Sequence, residues 1–83
     1  MKAQDILPDD AHQRELEGVT VRKGTVGAFL VNARTWCDAN SSARQREAAR
    51  RDIVEALPAL RALGLFQVLS IRDPVLRELV DKS

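Results

Sequence analysis

At 83 residues, with 45% hydrophobic and 30% charged positions and a formal net charge of +1, the chain has the composition of one small globular domain. A balance this close to zero exerts no overall electrostatic pull toward nucleic acid or anionic membrane. The lone cysteine, Cys37, excludes an intrachain disulfide and a cysteine-cluster zinc site.

Residues 1–12 read as a loose N-terminal arm, with Ile6 and Leu7 as an anchor and Pro8 as a breaker. Residues 13–83 read as a single small globular domain. The arm lacks the apolar run of a signal peptide, so a cytoplasmic location is expected. Asp9 or Asp10 could cap a short helix through Leu16, but the periodicity there is poor. A hairpin is the better reading: Gln13 to Leu16, a turn at Glu17-Gly18, then the β-branched Val19-Thr20-Val21 leading to Arg22. Charge is uneven along this part of the chain. Residues 1–17 carry Asp5, Asp9, Asp10, Glu15 and Glu17 against Lys2 and Arg14, whereas residues 18–34 carry Arg22, Lys23 and Arg34 with no acid. The acidic arm is thus suited to neutralise a basic helix entrance.

Thr25 to Cys37, TVGAFLVNARTWC, is expected to be a central buried helix with Thr25 as its N-cap. At about 100° per residue, Val26, Phe29, Leu30, Ala33, Trp36 and Cys37 share one stripe, which makes them the predicted core face. Gly27, Ala28, Val31 and Thr35 form a second surface that is also uncharged and carries no long side chain. Arg34 is the one charged residue of the segment. An apolar stretch this short falls below the roughly 20 residues that span a bilayer, so no membrane role is expected.

Asp38 to Ser41 is a turn, and Ser41 or Ser42 caps a long second helix. Its apolar face is Ala49, Ile53, Ala56, Leu57, Leu60 and Leu63, while Glu47, Arg51 and Glu55 make an i,i+4 charge ladder elsewhere. Pro58 is expected to kink this helix or to start a fresh one, because it lacks an amide and crowds the carbonyl of Val54. Gly64 ends it as a left-handed cap. The run Phe66 to Ile71, FQVLSI, is mostly apolar and fits either a strand or a buried turn. Asp73-Pro74 is a cap followed by proline at the first helical position, and it starts a short C-terminal helix with Val75, Leu76, Leu79 and Val80 as its apolar residues. The predicted fold class is therefore mainly α (α+β), with a small hairpin or strand near residues 13–22.

The string Val21-Arg22-Lys23-Gly24-Thr25-Val26, followed by Ala28, Leu30 and Asn32, resembles a family of small uncharacterised bacterial proteins. They share a GTV-x-A-x-L-x-N helix start and a later P-x-L-x(3)-G-L-F segment, matched here by Pro58, Leu60 and Gly64-Leu65-Phe66. The likeness spans about residues 19–66 and implies a fold without assigning an activity or a site.

Residues able to carry chemistry are few. His12 lies among Asp9 and Asp10 in the arm, a surface pattern more than a metal site. No nucleophile, base and orienting group stand in a catalytic order, and no cofactor is implied. An enzyme is accordingly not expected. On the core stripe Cys37 reads as a small buried apolar residue. Arg22 and Lys23 at a glycine-flanked helix start are able to meet an anion, although the P-loop order of residues is absent. Arg44, Arg46, Arg50 and Arg51 after a short turn invite comparison with a recognition helix, which makes a small nucleic-acid-binding regulator the alternative function. Interleaved Glu47, Asp52 and Glu55 and a pI of about 8.0 weigh against it. The expected function is a protein–protein interaction module that binds an unidentified protein partner and self-associates, with a dimer favoured. Its contact residues are Gly27, Ala28, Val31 and Thr35, unless the hairpin or residues 66–71 roof that face within the chain.

Overall fold

Ser42 begins the element on which the rest of the fold is built. In the computed structural model, which describes residues 13–16 and 18–83, its hydroxyl accepts the Gln45 amide while the Gln45 side chain accepts the Ser42 amide. This reciprocal pair satisfies two otherwise unpaired donors and starts the long helix Ala43–Leu63. Before it come strands β1 (Gln13–Leu16) and β2 (Val19–Arg22) and helix α1 (Thr25–Cys37). The long helix is α2, followed by the one-turn helix α3 (Leu65–Val68) and by α4 (Pro74–Lys82). The fold is mainly α with one small antiparallel hairpin, as the sequence predicts.

β1 and β2 pair from Gln13 opposite Arg22 to Leu16 opposite Val19, in the register expected for a tight reversal at Gly18. An isolated two-stranded hairpin is marginal in water, so this one depends on what it packs against. Val21 supplies that contact: it is buried, between the exposed Thr20 and Arg22, and β2 lies on α2. Turned the other way, the chain would bury Thr20 and Arg22 and expose Val21.

Ala49, Ile53, Leu57 and Leu60 on α2 are buried, as predicted, while Ala56 and Leu63 of the same predicted stripe are half-buried. Ala59, outside the predicted face, is buried as well and widens the stripe toward the hairpin. Phe29 and Ala33 of α1 and Leu76 and Val80 of α4 complete the core around Ile53, Leu57 and Leu60. The helix of greatest burial is thus α2 and not α1, whose apolar arc is wider than its neighbours cover.

Pro58 neither ends α2 nor starts a new helix; the helix runs through it to Leu63. The break costs about 3 kcal/mol in isolation. Leu57 and Leu60 on either side are fully buried, and each contributes about 2 kcal/mol of transfer free energy to holding the helix in place. The ring itself is exposed.

Gly64 adopts φ 81°, ψ 18° and donates its amide to the carbonyls of Leu60 and Arg61, the left-handed cap expected there. A side chain at Gly64 would meet nothing closer than Gln67 at 3.5 Å, so only the backbone conformation penalises it. Gly64→Ala is expected to lower stability by about 1 kcal/mol, measured by urea denaturation with an unchanged slope. A loss below about 0.3 kcal/mol would contradict this origin of the helix stop.

The reversal at Gly64 also decides the fate of the next segment. Leu65–Val68 forms a single helical turn, and residues 69–73 are extended or bent, so the strand alternative for Phe66 to Ile71 is excluded. The Phe66 ring meets Phe29 edge-on, with centroids 5.9 Å apart, and pins this segment against α1. Beyond it the Asp73 carboxylate accepts the amides of Val75 and Leu76 at 2.9 Å and Pro74 opens α4, as predicted. Arg61, which carried no role in the sequence reading, donates to the carbonyls of Val80 and Ser83 and ties the end of α2 to the end of α4. The loose arm, His12 and the short helix weighed after Asp9 lie outside the described residues.

Candidate interaction surface

α1 starts one residue earlier than a Thr25 cap requires. Gly24, at φ 87°, is the N-cap and uses no side chain, while Thr25 is already helical and its hydroxyl donates to the Arg22 carbonyl at 2.7 Å. The hydroxyl finds a carbonyl of the preceding strand instead of an amide of the first turn. The bond fixes the angle between β2 and α1. With that angle set, Phe29 and Ala33 point into the core and Trp36 lies half-buried beside them.

The other side of α1 is open. Gly27, Ala28 and Val31 are exposed, Val31 by 64%, and Thr35 is half-buried with its hydroxyl donated to the Val31 carbonyl. A side chain added at Gly27 would meet nothing within 4 Å. Neither the hairpin nor residues 66–71 roof this face, which settles that part of the alternative posed by the sequence. The face continues past Arg34 and Thr35 into a shallow depression of about 550 Å³ that ends at Asp38 and Ser41.

Three residues assigned to the core stripe are not in the core. Val26 is 36% exposed, Leu30 is 55% exposed and Cys37 is exposed. All three lie at the flank of the arc, beyond the reach of α2. Leu30 instead lines an apolar groove of about 250 Å³, walled on one side by Val26, Phe29 and Ala33 and on the other by Phe66, Leu69 and Ile71. Leu69 is itself 58% exposed. No periodicity argument pointed to this groove, because it forms only when the segment after Gly64 folds back along α1.

Partial desolvation raises the Cys37 thiol above its usual pKa, and the negative charge and hydrogen bond of Asp73 push it the same way. A raised pKa means less thiolate at neutral pH. Iodoacetamide should therefore alkylate Cys37 more slowly than it does an unstructured cysteine peptide at pH 7.5, despite the exposure. A rate equal to or above the peptide's would contradict this reading.

The basic residues do not form one patch. Arg46 donates to the carbonyls of Asp38 and Ala39 at 3.2 and 3.0 Å and so clamps the turn between α1 and α2. Arg50 makes a two-point ion pair with Glu47, at 2.6 and 3.0 Å. The predicted ladder ran from Glu47 to Arg51; the i,i+3 partner takes the carboxylate instead, and it holds Glu47 below the usual carboxylate range. Arg44 and Arg51 remain exposed, while Arg22 and Lys23 stand at the other end of α1, beyond the turn that Arg46 closes. Arg22 borders a depression of about 360 Å³ shared with Thr20, Asn32, Asp52 and Glu55, where two carboxylates oppose the single cation.

Among the described residues no group of three or more His, Cys, Asp or Glu side chains is placed to hold a metal ion, and no helix is long and apolar enough to cross a membrane. Searches against family models, curated proteins and solved structures found no match to this chain.

Proposed function

We propose that this protein is a protein–protein interaction module that self-associates through the α1 face of Gly27, Ala28, Val31 and Thr35. The observation that carries the reading is Val31, 64% exposed in mid-helix among the small residues Gly27, Ala28 and Thr35, with Arg34 the one charge at the border of the face. An uncovered apolar surface of this kind is what marks contact sites on soluble proteins. Small residues at Gly27 and Ala28 allow two helices to approach closely, and a two-fold pairing would place the same patch on both sides of the contact. The fuller picture is a cytoplasmic homodimer, akin to the small bacterial proteins its Gly24-Thr25-Val26 segment resembles, that presents its remaining surface to a further protein partner. Sedimentation velocity across a micromolar concentration range tests it. A concentration-dependent dimer is expected, and a monomer at every concentration would remove the proposal.

A nucleic-acid-binding regulator stands as the second reading, favoured only by the exposed Arg44 and Arg51. Arg46 and Arg50 already have partners within the chain, and Glu47, Asp52 and Glu55 share the helix. Binding to a generic duplex should then be weak and vanish near physiological salt, as fluorescence anisotropy would report. Sub-micromolar, sequence-selective binding at that salt would reverse the ranking.

A further inference from the structure

The face of Gly27, Ala28, Val31 and Thr35 is small, and the charges at its two borders are of opposite sign. Resting on self-association through that face, we propose that each copy seats its Arg34 in the depression between α1 and α2 of the other, against Asp52 and Glu55. Residues 27–35 of α1 extend about 12 Å, whereas a stable contact takes about 800 Å² from each partner. The flanks of the helix must therefore join the contact. At 100° per residue, Arg34 is displaced by about 60° from Val31 to one side and Ala28 by about 60° to the other. Arg34 is exposed and makes no ion pair among the described residues. Ala28 borders the depression of about 360 Å³ in which Asp52, Glu55 and Arg22 stand around the buried Phe29 and Ala59. None of these three charges is in an ion pair among the described residues either. Two carboxylates and one guanidinium leave the depression a net charge of −1, which one arriving arginine cancels. Asp52 and Glu55 are three residues apart on α2 and so share a side of it, a spacing that suits the planar fork of arginine. The volume exceeds the ~150 Å³ that holds a benzene molecule, so a guanidinium with part of its stem fits.

Helix geometry brings the two borders together. Gly27 and Ala28 permit close approach, and the commonest packing of two helices crosses them at about −50°. In a two-fold pair with that crossing and both helices running the same general way, the Arg34 flank of one α1 lies over the Ala28 flank of the other. Two-fold symmetry makes the contact twice. With the helices running oppositely at the same crossing, the two Arg34 flanks would meet instead, and like charges would oppose each other. The charges thus select the sense of the pairing as well as its register.

Charge reversal in the full-length protein tests it, read by sedimentation velocity with circular dichroism as the control for folding. Arg34, Asp52 and Glu55 are all exposed, so the fold is expected to persist. Arg34→Glu, and separately Asp52→Lys with Glu55→Lys, are each expected to weaken self-association by about a hundredfold, a tenfold loss at each of the two contacts. An equimolar mixture of the two variants is expected to form a heterodimer, because each contact in it again joins opposite charges. The three substitutions in one chain are expected to restore a homodimer. Where the lysine pair disturbs the fold, Asp52→Asn with Glu55→Gln takes its place, and undiminished association of that variant would overturn the pairing. A wild-type dimer that Val31→Glu dissolves but Arg34→Glu leaves intact would overturn the pairing and spare the self-association reading. Variants that fail to associate on mixing would overturn it too, as would a dimer strengthened by Arg34→Glu, which sets the Arg34 flanks together. A wild-type monomer at every concentration would remove both.

Discussion

Val31→Glu is expected to convert the self-associated protein into a monomer without loss of helical content. In a single chain Val31 is 64% exposed, so a carboxylate placed there remains hydrated and the fold loses little. In a contact between two α1 faces the same carboxylate would lose its water, and Arg34 at the border of the face is the one cation placed to offset it in part, since Gly27, Ala28 and Thr35 carry no charge. An uncompensated buried charge costs several kcal/mol, and a loss of about 4 kcal/mol weakens association by roughly a thousandfold. Sedimentation velocity and far-ultraviolet circular dichroism on the same samples provide the measurement. A variant that still dimerises would move the contact elsewhere on the molecule. Had α1 been roofed on this side, the same substitution would have unfolded the protein; the exposure of Val31 separates the two outcomes.

Ile53→Ala should cost 2–5 kcal/mol of folding stability, among the largest effects of any single truncation in this chain. Ile53 has no accessible surface and stands at the middle of the one stripe where α1, α2 and α4 meet. Removing its outer carbons leaves a cavity walled by Leu57, Leu60 and Phe29, side chains already held by their own neighbours and unable to collapse into it. A chain of this length has a total stability on the order of 4–12 kcal/mol, so the variant loses a large part of what there is. At a fixed protein concentration the melting temperature is expected to fall by at least about 10 °C. A fall under about 3 °C would mean that Ile53 is not the packing centre. Val75→Ala, on α4 but 61% exposed, is the matched control and should change stability by less than about 0.5 kcal/mol.

What the sequence determined by itself is the local punctuation of this protein. The cap at Ser41 or Ser42, the Gly64 stop, the Asp73-Pro74 start and the hairpin at Glu17-Gly18 each depend on a hydrogen bond or a dihedral angle set within about four residues. The nature of those residues is enough to place them. The α2 stripe was legible for a related reason: Ile53, Leu57 and Leu60 repeat at helical spacing beside a charged face, so only one orientation buries them. The uncharged face at Gly27, Ala28, Val31 and Thr35 could likewise be written down in advance. Whether anything covers it could not, because coverage is a property of the elements that arrive from elsewhere in the chain.

The tertiary structure alone decided which part of the α1 arc is used. Val26, Phe29, Leu30, Ala33, Trp36 and Cys37 are equivalent by periodicity, yet a neighbouring helix touches an arc of limited width, and Val26, Leu30 and Cys37 fall at its edge. The same holds for Thr25, whose hydroxyl has two possible partners and takes the one that the approach of β2 brings near. Phe66 to Ile71 has no period to read, so its conformation follows from the direction Gly64 gives the chain and from the contact of Phe66 with Phe29. Those two events build the groove. They join residues nearly forty positions apart, a separation at which local propensity has no influence and packing has all of it.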